Sequence, residues 1–191
     1  MGEVTWVERN LTLFRSAGLT PIATCSPQNF ALVKSYGAAH VFDYNNPAKA
    51  IATIKELTRN SLKYVVDCVA TSPAQNLSHS CIGRLGGTYI ALELPPPKPD
   101  ARKAIKSDFV LGMTLLGKEI ALGEGYYQPP IPEHRVWGVK YYEKVQTLLD
   151  HNMLKAHPPR VMTGGLQGIQ DEGLPLLKEG KIRAEKLVYF V

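Results

Sequence analysis

Hydrophobic stretches of membrane length are lacking: no apolar run approaches the roughly 18 residues a spanning helix needs, and no basic stretch followed by an apolar core opens the chain. A cytoplasmic protein is the expectation. Cysteine is scarce. Cys25, Cys68 and Cys81 form an odd set without C-x-x-C spacing, which argues against a disulfide framework or a zinc knuckle and fits a reducing compartment. The five histidines (His40, His79, His134, His151, His157) show no H-E-x-x-H or paired metal spacing, so no metal site is expected. No G-x-S-x-G elbow is present, which removes the commonest hydrolase signature of a parallel sheet. Lys and Arg number 22 against 17 Asp and Glu, a net charge of +5, yet no basic run interleaved with aromatics occurs. Nothing points to nucleic acid, and an anionic small molecule or an acidic partner accounts for the surplus.

What the sequence does have is the composition of a globular protein, 45% hydrophobic and 20% charged over 191 residues, enough for one domain or one and a fragment. Strand-like and helix-like segments alternate. A helix is expected over about 9–17, closed by Gly18. A buried strand follows at Pro21 to Cys25, then a helix through Phe30, Val33 and Tyr36, and a strand at His40 to Phe42. Pro47 opens another helix. Tyr64 to Val69 reads as the clearest buried strand, followed by a helix from Pro73 to Ile82 and a strand from Thr88 to Leu92. Such alternation specifies βαβ units and a parallel sheet. Pro95 to Pro99 interrupts it as a linker or loop. A long amphipathic helix is expected over 135–151, then strand, helix with an interrupting Pro175, and a last strand from Leu187.

Ligands of such sheets bind at the carboxyl ends of strands. Ser26-Pro27-Gln28-Asn29 follows the first strand, with Lys34 farther along the next helix, a donor set suited to a phosphate. Ser26 and Asn29 serve equally well as helix caps. Tyr44 follows the second strand and suits an adenine ring or the same phosphate, or else is a half-buried turn tyrosine. Asp67 and Cys68 end the third strand; the carboxylate is an acid-base candidate, or it caps the next turn with Cys68 in the core. Gly83-Arg84-Leu85-Gly86-Gly87 precedes a strand, so it reads as a turn and not as a dinucleotide fingerprint, which must follow one.

The runs Pro21 to Phe30, Val41-Phe42-Asp43-Tyr44, Tyr64-Val65-Val66-Asp67-Cys68, Gly86-Gly87-Thr88-Tyr89, Gly112 to Gly117 and Gly180-Lys181 to Val188 together resemble the fungal trans-acting enoyl reductases. These are zinc-free medium-chain dehydrogenase/reductase relatives that serve reducing polyketide synthases. The resemblance runs from about Leu11 to the C-terminus. It implies NADPH as cofactor, hydride transfer to Cβ of an enoyl thioester on an acyl carrier protein, and a polyketide synthase as partner. It places Ser26, Pro27, Gln28, Asn29 and Tyr44 at the adenosine 2′-phosphate end. Ala91 and Leu92 fall near the nicotinamide, Glu185 and Lys186 back at the cofactor, and Gly112, Met113, Thr114, Leu115 and Leu116 along the acyl pocket. Lys34 joins the phosphate set on charge and spacing alone. No residue is assigned a catalytic role.

Family members are about twice as long, and the resemblance implies an α/β fold with an incomplete Rossmann-type parallel sheet. The first strand and its glycine loop are missing, and a C-terminal segment returns to the substrate domain. The corresponding division is an atypical segment 1–10, a partial dinucleotide-binding domain 11–135 and a returning segment 136–191. In the order 3-2-1-4-5-6 the missing strand is central, so two strands are expected to separate from three. Val4 to Val7 offers a replacement strand, but Glu8 and Arg9 then stand where pyrophosphate needs glycine. Weak NADPH binding by this chain alone is the expectation, with a monomer at full length. A catalytically inactive remnant or binding module of the same pathway is the alternative, and a quinone or alkenal reductase a third.

Overall fold

The computed structural model describes residues 7–98, 100–123, 125–154, 157–182 and 184–191, with side chains from Leu11 onward. It comprises two compact units, Met1–Asp43 with His151–Val191, and Tyr44–Asp150. Of the suggested replacement strand, Val4 to Trp6 lie outside the described residues, and Val7 already opens a helix.

In the first unit α1 (Val7–Ser16) ends at Gly18, whose φ of +79° suits a residue without a Cβ. β1 (Ile22–Cys25) and β2 (His40–Asp43) pair in parallel, Ile22 against His40 and Cys25 against Asp43. Between them run a 3₁₀ turn, Pro27–Asn29, and α2 (Phe30–Ser35). Ala23 and Cys25 are buried while Ile22 and Thr24 are half-exposed, so β1 is two-faced where continuous burial was expected. Leu11, Ala23, Cys25, Val33, Tyr36 and Ala38 form the core, with Phe30 and Val41 against it. A second parallel pair, β3 (Pro159–Met162) and β4 (Lys186–Tyr189), is linked by three helical pieces: α3 (Gly165–Gly168), a π segment at Ile169–Gly173 and α4 (Leu174–Lys178). Pro175 lacks an N–H and its ring crowds the preceding turn, which accounts for a widened π turn just before it.

In the second unit β5 (Tyr64–Asp67), β6 (Gly87–Ala91) and β7 (Ile105–Phe109) form a parallel sheet in that order. Helix α5 (Pro47–Leu57) precedes β5, α6 (Ser72–Cys81) forms the crossover from β5 to β6, and the connection from β6 to β7 has no helix among the described residues. Asn46 caps α5 by accepting from Lys49 N–H at 3.3 Å. The core is Ala70, Ile82, Tyr89, Ala91 and Ile105, backed by Val65 and Phe109. Strand β5 stops two residues earlier than its hydrophobic run because the Asp67 carboxylate accepts the N–H groups of Val69 and Ala70, both at 3.0 Å. Cys68 in that turn is half-buried, so it is not a core residue. Strand β7 carries no hydrophobic alternation: only Ile105 is buried, and Lys106, Ser107 and Asp108 are exposed at the sheet edge. The long helix α7 (Pro132–Asp150) completes the unit.

Among the described residues β1 and β5 each have a single ladder neighbour, and no strand joins the pair to the triplet. The separation of two strands from three is as expected. No helix of the described residues is long and apolar enough to cross a membrane.

Candidate cofactor and substrate site

In the first unit Ser26 directly follows Cys25, which is in register with Asp43 at the carboxyl end of β1 and β2. Neither Ser26 nor Asn29 caps a helix through its side chain. Instead Asn29 Nδ2 donates to Ser26 Oγ at 3.1 Å and Asn29 N–H donates to Ser26 O at 2.9 Å. The Ser26 O–H and one Asn29 amide hydrogen stay available, and Pro27 and Gln28 are exposed beside them. That neutral donor set suits a phosphate ester. Lys34 is exposed in the last turn of α2, at the end remote from Ser26. Glu185 is engaged by Arg160, whose Nη1 donates to Oε1 at 3.2 Å. Lys186 opens β4, with its N–H bonded to Pro158 O at 2.9 Å.

In the second unit the exposed Tyr44 comes immediately after Asp43. Ala91 is fully buried at the carboxyl end of β6 and its carbonyl accepts Val110 N–H at 2.8 Å; Leu92 N–H donates to Asp67 O at 2.9 Å. These bonds fix the crest of the sheet. Just beyond β7, Gly112–Leu116 forms a 3₁₀ turn closed by Gly117 at φ +70°. With one face of α7 it lines a groove of about 490 Å³: Gly112, Met113, Leu115 and Leu116 opposite Arg135, Gly138, Val139, Tyr142 and Glu143. Thr114 is not in the lining, and its carbonyl accepts Gly117 N–H at 2.9 Å. Gly138 permits the approach, since a Cβ there would stand 3.3 Å from Leu115 Cβ. The α7 half of the groove was not anticipated, although positions 135, 138, 139, 142 and 143 share one helix face by their 3.6-residue period.

Two hydroxyl hydrogen bonds were not anticipated, Tyr126 to Glu93 and Tyr89 to Asp67, whereas the capping of the turn after β5 by Asp67 was one of the two readings offered. Glu93, two residues beyond β6, accepts the Tyr126 hydroxyl at 2.5 Å, and Tyr126 lies edge-on to Phe109 with ring centroids 6.3 Å apart. The hydrogen bond from Tyr126 is the main reason the Glu93 carboxyl is held below its ordinary value. Asp67, the acid-base candidate, is buried and saturated, with Tyr89 donating to Oδ2 at 2.9 Å. It is a capping and core group.

The chain matches the family described as zinc-binding dehydrogenases over residues 11–120. With its parallel α/β units, it belongs to that family. It is 44% identical to the trans-enoyl reductase FSL5 of Gibberella zeae over 181 residues, 95% of this chain and 50% of the relative. It is 45% identical to the trans-enoyl reductase RAP1 of Pyricularia oryzae over 179 residues, 93% and 49% of the two chains. The chain thus spans about half the length of the curated relatives it matches. Among solved structures, JamJ enoyl reductase in its apo form superposes with a TM-score of 0.68 at 16% identity, over 93% of this chain and 49% of that one. The mycobacterial Rv1454c complexed with NADPH gives 0.59 at 15% identity, over 79% and 44%. These likenesses establish the fold.

The family description implies zinc, but among the described residues no group of three or more His, Cys, Asp or Glu side chains could hold a metal. A dinucleotide fits in part. The Ser26 to Asn29 donors suit a phosphate, whereas no described strand is followed by a G-x-G-x-x-G loop, the spacing a pyrophosphate cradle requires; the glycines after β3, Gly164 and Gly165, open the short α3 with Thr163 in place of the first glycine.

Proposed function

We propose that this chain is the cofactor-binding half of a trans-acting enoyl reductase of fungal secondary metabolism. The observation that carries the reading is the open groove directly after the carboxyl end of β7, apolar except for Arg135 and Glu143 and the Tyr142 hydroxyl on its α7 side, in the same unit as the Ala91-Leu92 crest. An acyl chain is apolar and extended, and a groove of this kind removes it from water without demanding fixed polar partners. The substrate class is an α,β-unsaturated polyketide thioester on an acyl carrier protein, the partner being a polyketide synthase, and the reductant is NADPH. When bound, NADPH would supply the hydride for Cβ, with a proton from solvent completing the reduction at Cα. Ser26 to Asn29 and Tyr44 are assigned to the phosphate end; Lys34, at the far end of α2, is left out of that set. Ala91, Leu92, Glu185 and Lys186 are assigned along the cofactor, and Gly112 to Leu116 to the acyl chain.

Disruption of the gene tests the reading: the pathway product should retain the double bond that the reductase removes. An unchanged metabolite profile would overturn it. A fluorescence titration of the purified chain with NADPH addresses the missing pyrophosphate cradle, and weak binding is expected. A submicromolar affinity would show that the described residues suffice.

A further inference from the structure

The turn joining α6 to β6 has no part in the proposed reaction, yet it is tightly fixed. A Cβ on Gly83 would lie 2.4 Å from Asn60 O, one on Gly86 2.1 Å from Ala104 O, and one on Gly87 2.2 Å from Lys63 O. Only glycine lets the three loops at the amino ends of β5, β6 and β7 abut in this way. They are joined by Gly83 N–H to Leu62 O at 2.9 Å, Arg84 N–H to Asn60 O at 3.3 Å and Gly87 N–H to Ala104 O at 3.1 Å. The Arg102 guanidinium braces the turn by donating to the carbonyls of Ile82, Gly83 and Arg84 at 3.0, 2.8 and 2.9 Å. At its tip stands Leu85, 85% exposed.

Around that leucine the abutting loops bring four exposed cations, Arg59, Lys63, Arg84 and Lys103. Among the described residues none of them forms an ion pair. The acids on the adjoining segments are Glu56 and Asp100, and Asp100 is bound to Lys98 at 3.3 Å. We propose that this amino edge of the three-stranded sheet docks an acidic segment of a partner protein. Carboxylates meet Arg59, Lys63, Arg84 and Lys103, and an apolar side chain covers Leu85.

The physical case is threefold. An apolar centre with a charged rim is the anatomy of a protein interface. A turn already rigid loses little entropy on binding, so more of the contact energy appears as affinity. A protruding leucine offers nothing to a phosphodiester backbone, which favours an acidic protein over a nucleic acid. The edge also lies at the opposite end of the strands from Ala91 and Leu92, so docking leaves the ligand end open. The inference does not rest on the reductase reading.

The test is fluorescence anisotropy of the purified chain with a labelled helical peptide bearing glutamates along one face and a central leucine. Controls are the same peptide with serine for that leucine, and a DNA duplex. Binding should weaken with salt and fall roughly tenfold in a Lys63→Glu, Lys103→Glu double variant. Leu85→Ser, or serine in the peptide, should each weaken it several-fold. Unchanged circular dichroism confirms that the surface variants fold. No binding, binding indifferent to Leu85, or DNA bound as tightly as the peptide would overturn the proposal.

Discussion

The Tyr89 hydroxyl donates to Asp67 Oδ2 at 2.9 Å inside the three-stranded unit, while Oδ1 of the same carboxylate accepts two backbone N–H groups. One side chain thus ends β5, shapes the following turn and anchors the fully buried ring of β6. Tyr89→Phe leaves Oδ2 buried without a donor, and the expected cost is about 1–3 kcal/mol, read as a lower urea midpoint. Burial first, then the charge and hydrogen bond of Asp67, raise the Tyr89 phenol well above its ordinary value. The folded state therefore keeps a proton that the unfolded chain loses near pH 10, so this contribution is full below that pH and is lost as pH rises beyond it. The alkaline decline should be shallower in Tyr89→Phe; equal slopes would show that the pair is not linked to folding.

Cys25 and Cys81 are buried, and burial is the first cause that pushes each thiol up to about 11; Asp43 adds to the effect at Cys25, and Lys55 opposes it at Cys81. The thiolate is the nucleophile, so both should resist iodoacetamide at neutral pH until denaturant opens the units. Half-buried Cys68 should label first. Peptide mass spectrometry after timed alkylation checks the order, and Cys25 labelling as fast as Cys68 would contradict it.

The elements that proved legible in the sequence are those with a local cause. Pro47 announces a helix start, and Tyr64-Val65-Val66 a strand, although the burial expected of that strand is not found: Tyr64 is exposed and Val65 and Val66 are half-buried. The strand β7 was hidden because Lys106, Ser107 and Asp108 sit on an exposed edge, where no hydrophobic period is imposed. At the candidate site, Gly112 to Leu116 was placed by family resemblance, while its α7 wall was written only in helical spacing. The Glu93–Tyr126 pair spans 33 residues and depends on how the intervening loop folds. No local pattern encodes it.

The loop that carries Tyr126 is closed at its base by Ile120 and Gln128, which exchange both backbone hydrogen bonds at 3.0 Å. Between these residues Tyr126 supplies the tie back to the sheet through Glu93. In Tyr126→Phe the ring contact with Phe109 can persist while the hydroxyl bond is lost. Limited proteolysis should then cut between Ile120 and Gln128 several-fold faster, with the global melting temperature unchanged, since the pair is exposed and local opening is governed separately from global unfolding. A cleavage rate equal to that of the natural chain would show that the loop is held by its base alone.

His79 poses the opposite case, a polar ring buried on α6 with neither nitrogen hydrogen-bonded among the described residues. It lies edge-on to Tyr89, with ring centroids 4.8 Å apart. Burial is the first cause that lowers its pKa; Lys98 and Arg102 act in the same direction, while Asp100 and Asp67 oppose them. The folded state therefore holds His79 neutral, whereas the unfolded chain binds a proton as pH falls through the usual histidine value near 6.5. The sign is fixed by linkage: stability is full above that pH and declines as the solution is acidified. Replacing the ring by an apolar one of similar size, His79→Phe, removes two unsatisfied nitrogens and the proton linkage together. The variant should match or exceed the natural chain's melting temperature at pH 7.5 and lose less of it at pH 5.5. A variant that melts lower at both values, with the same difference between them, would mean that His79 is held by its shape alone.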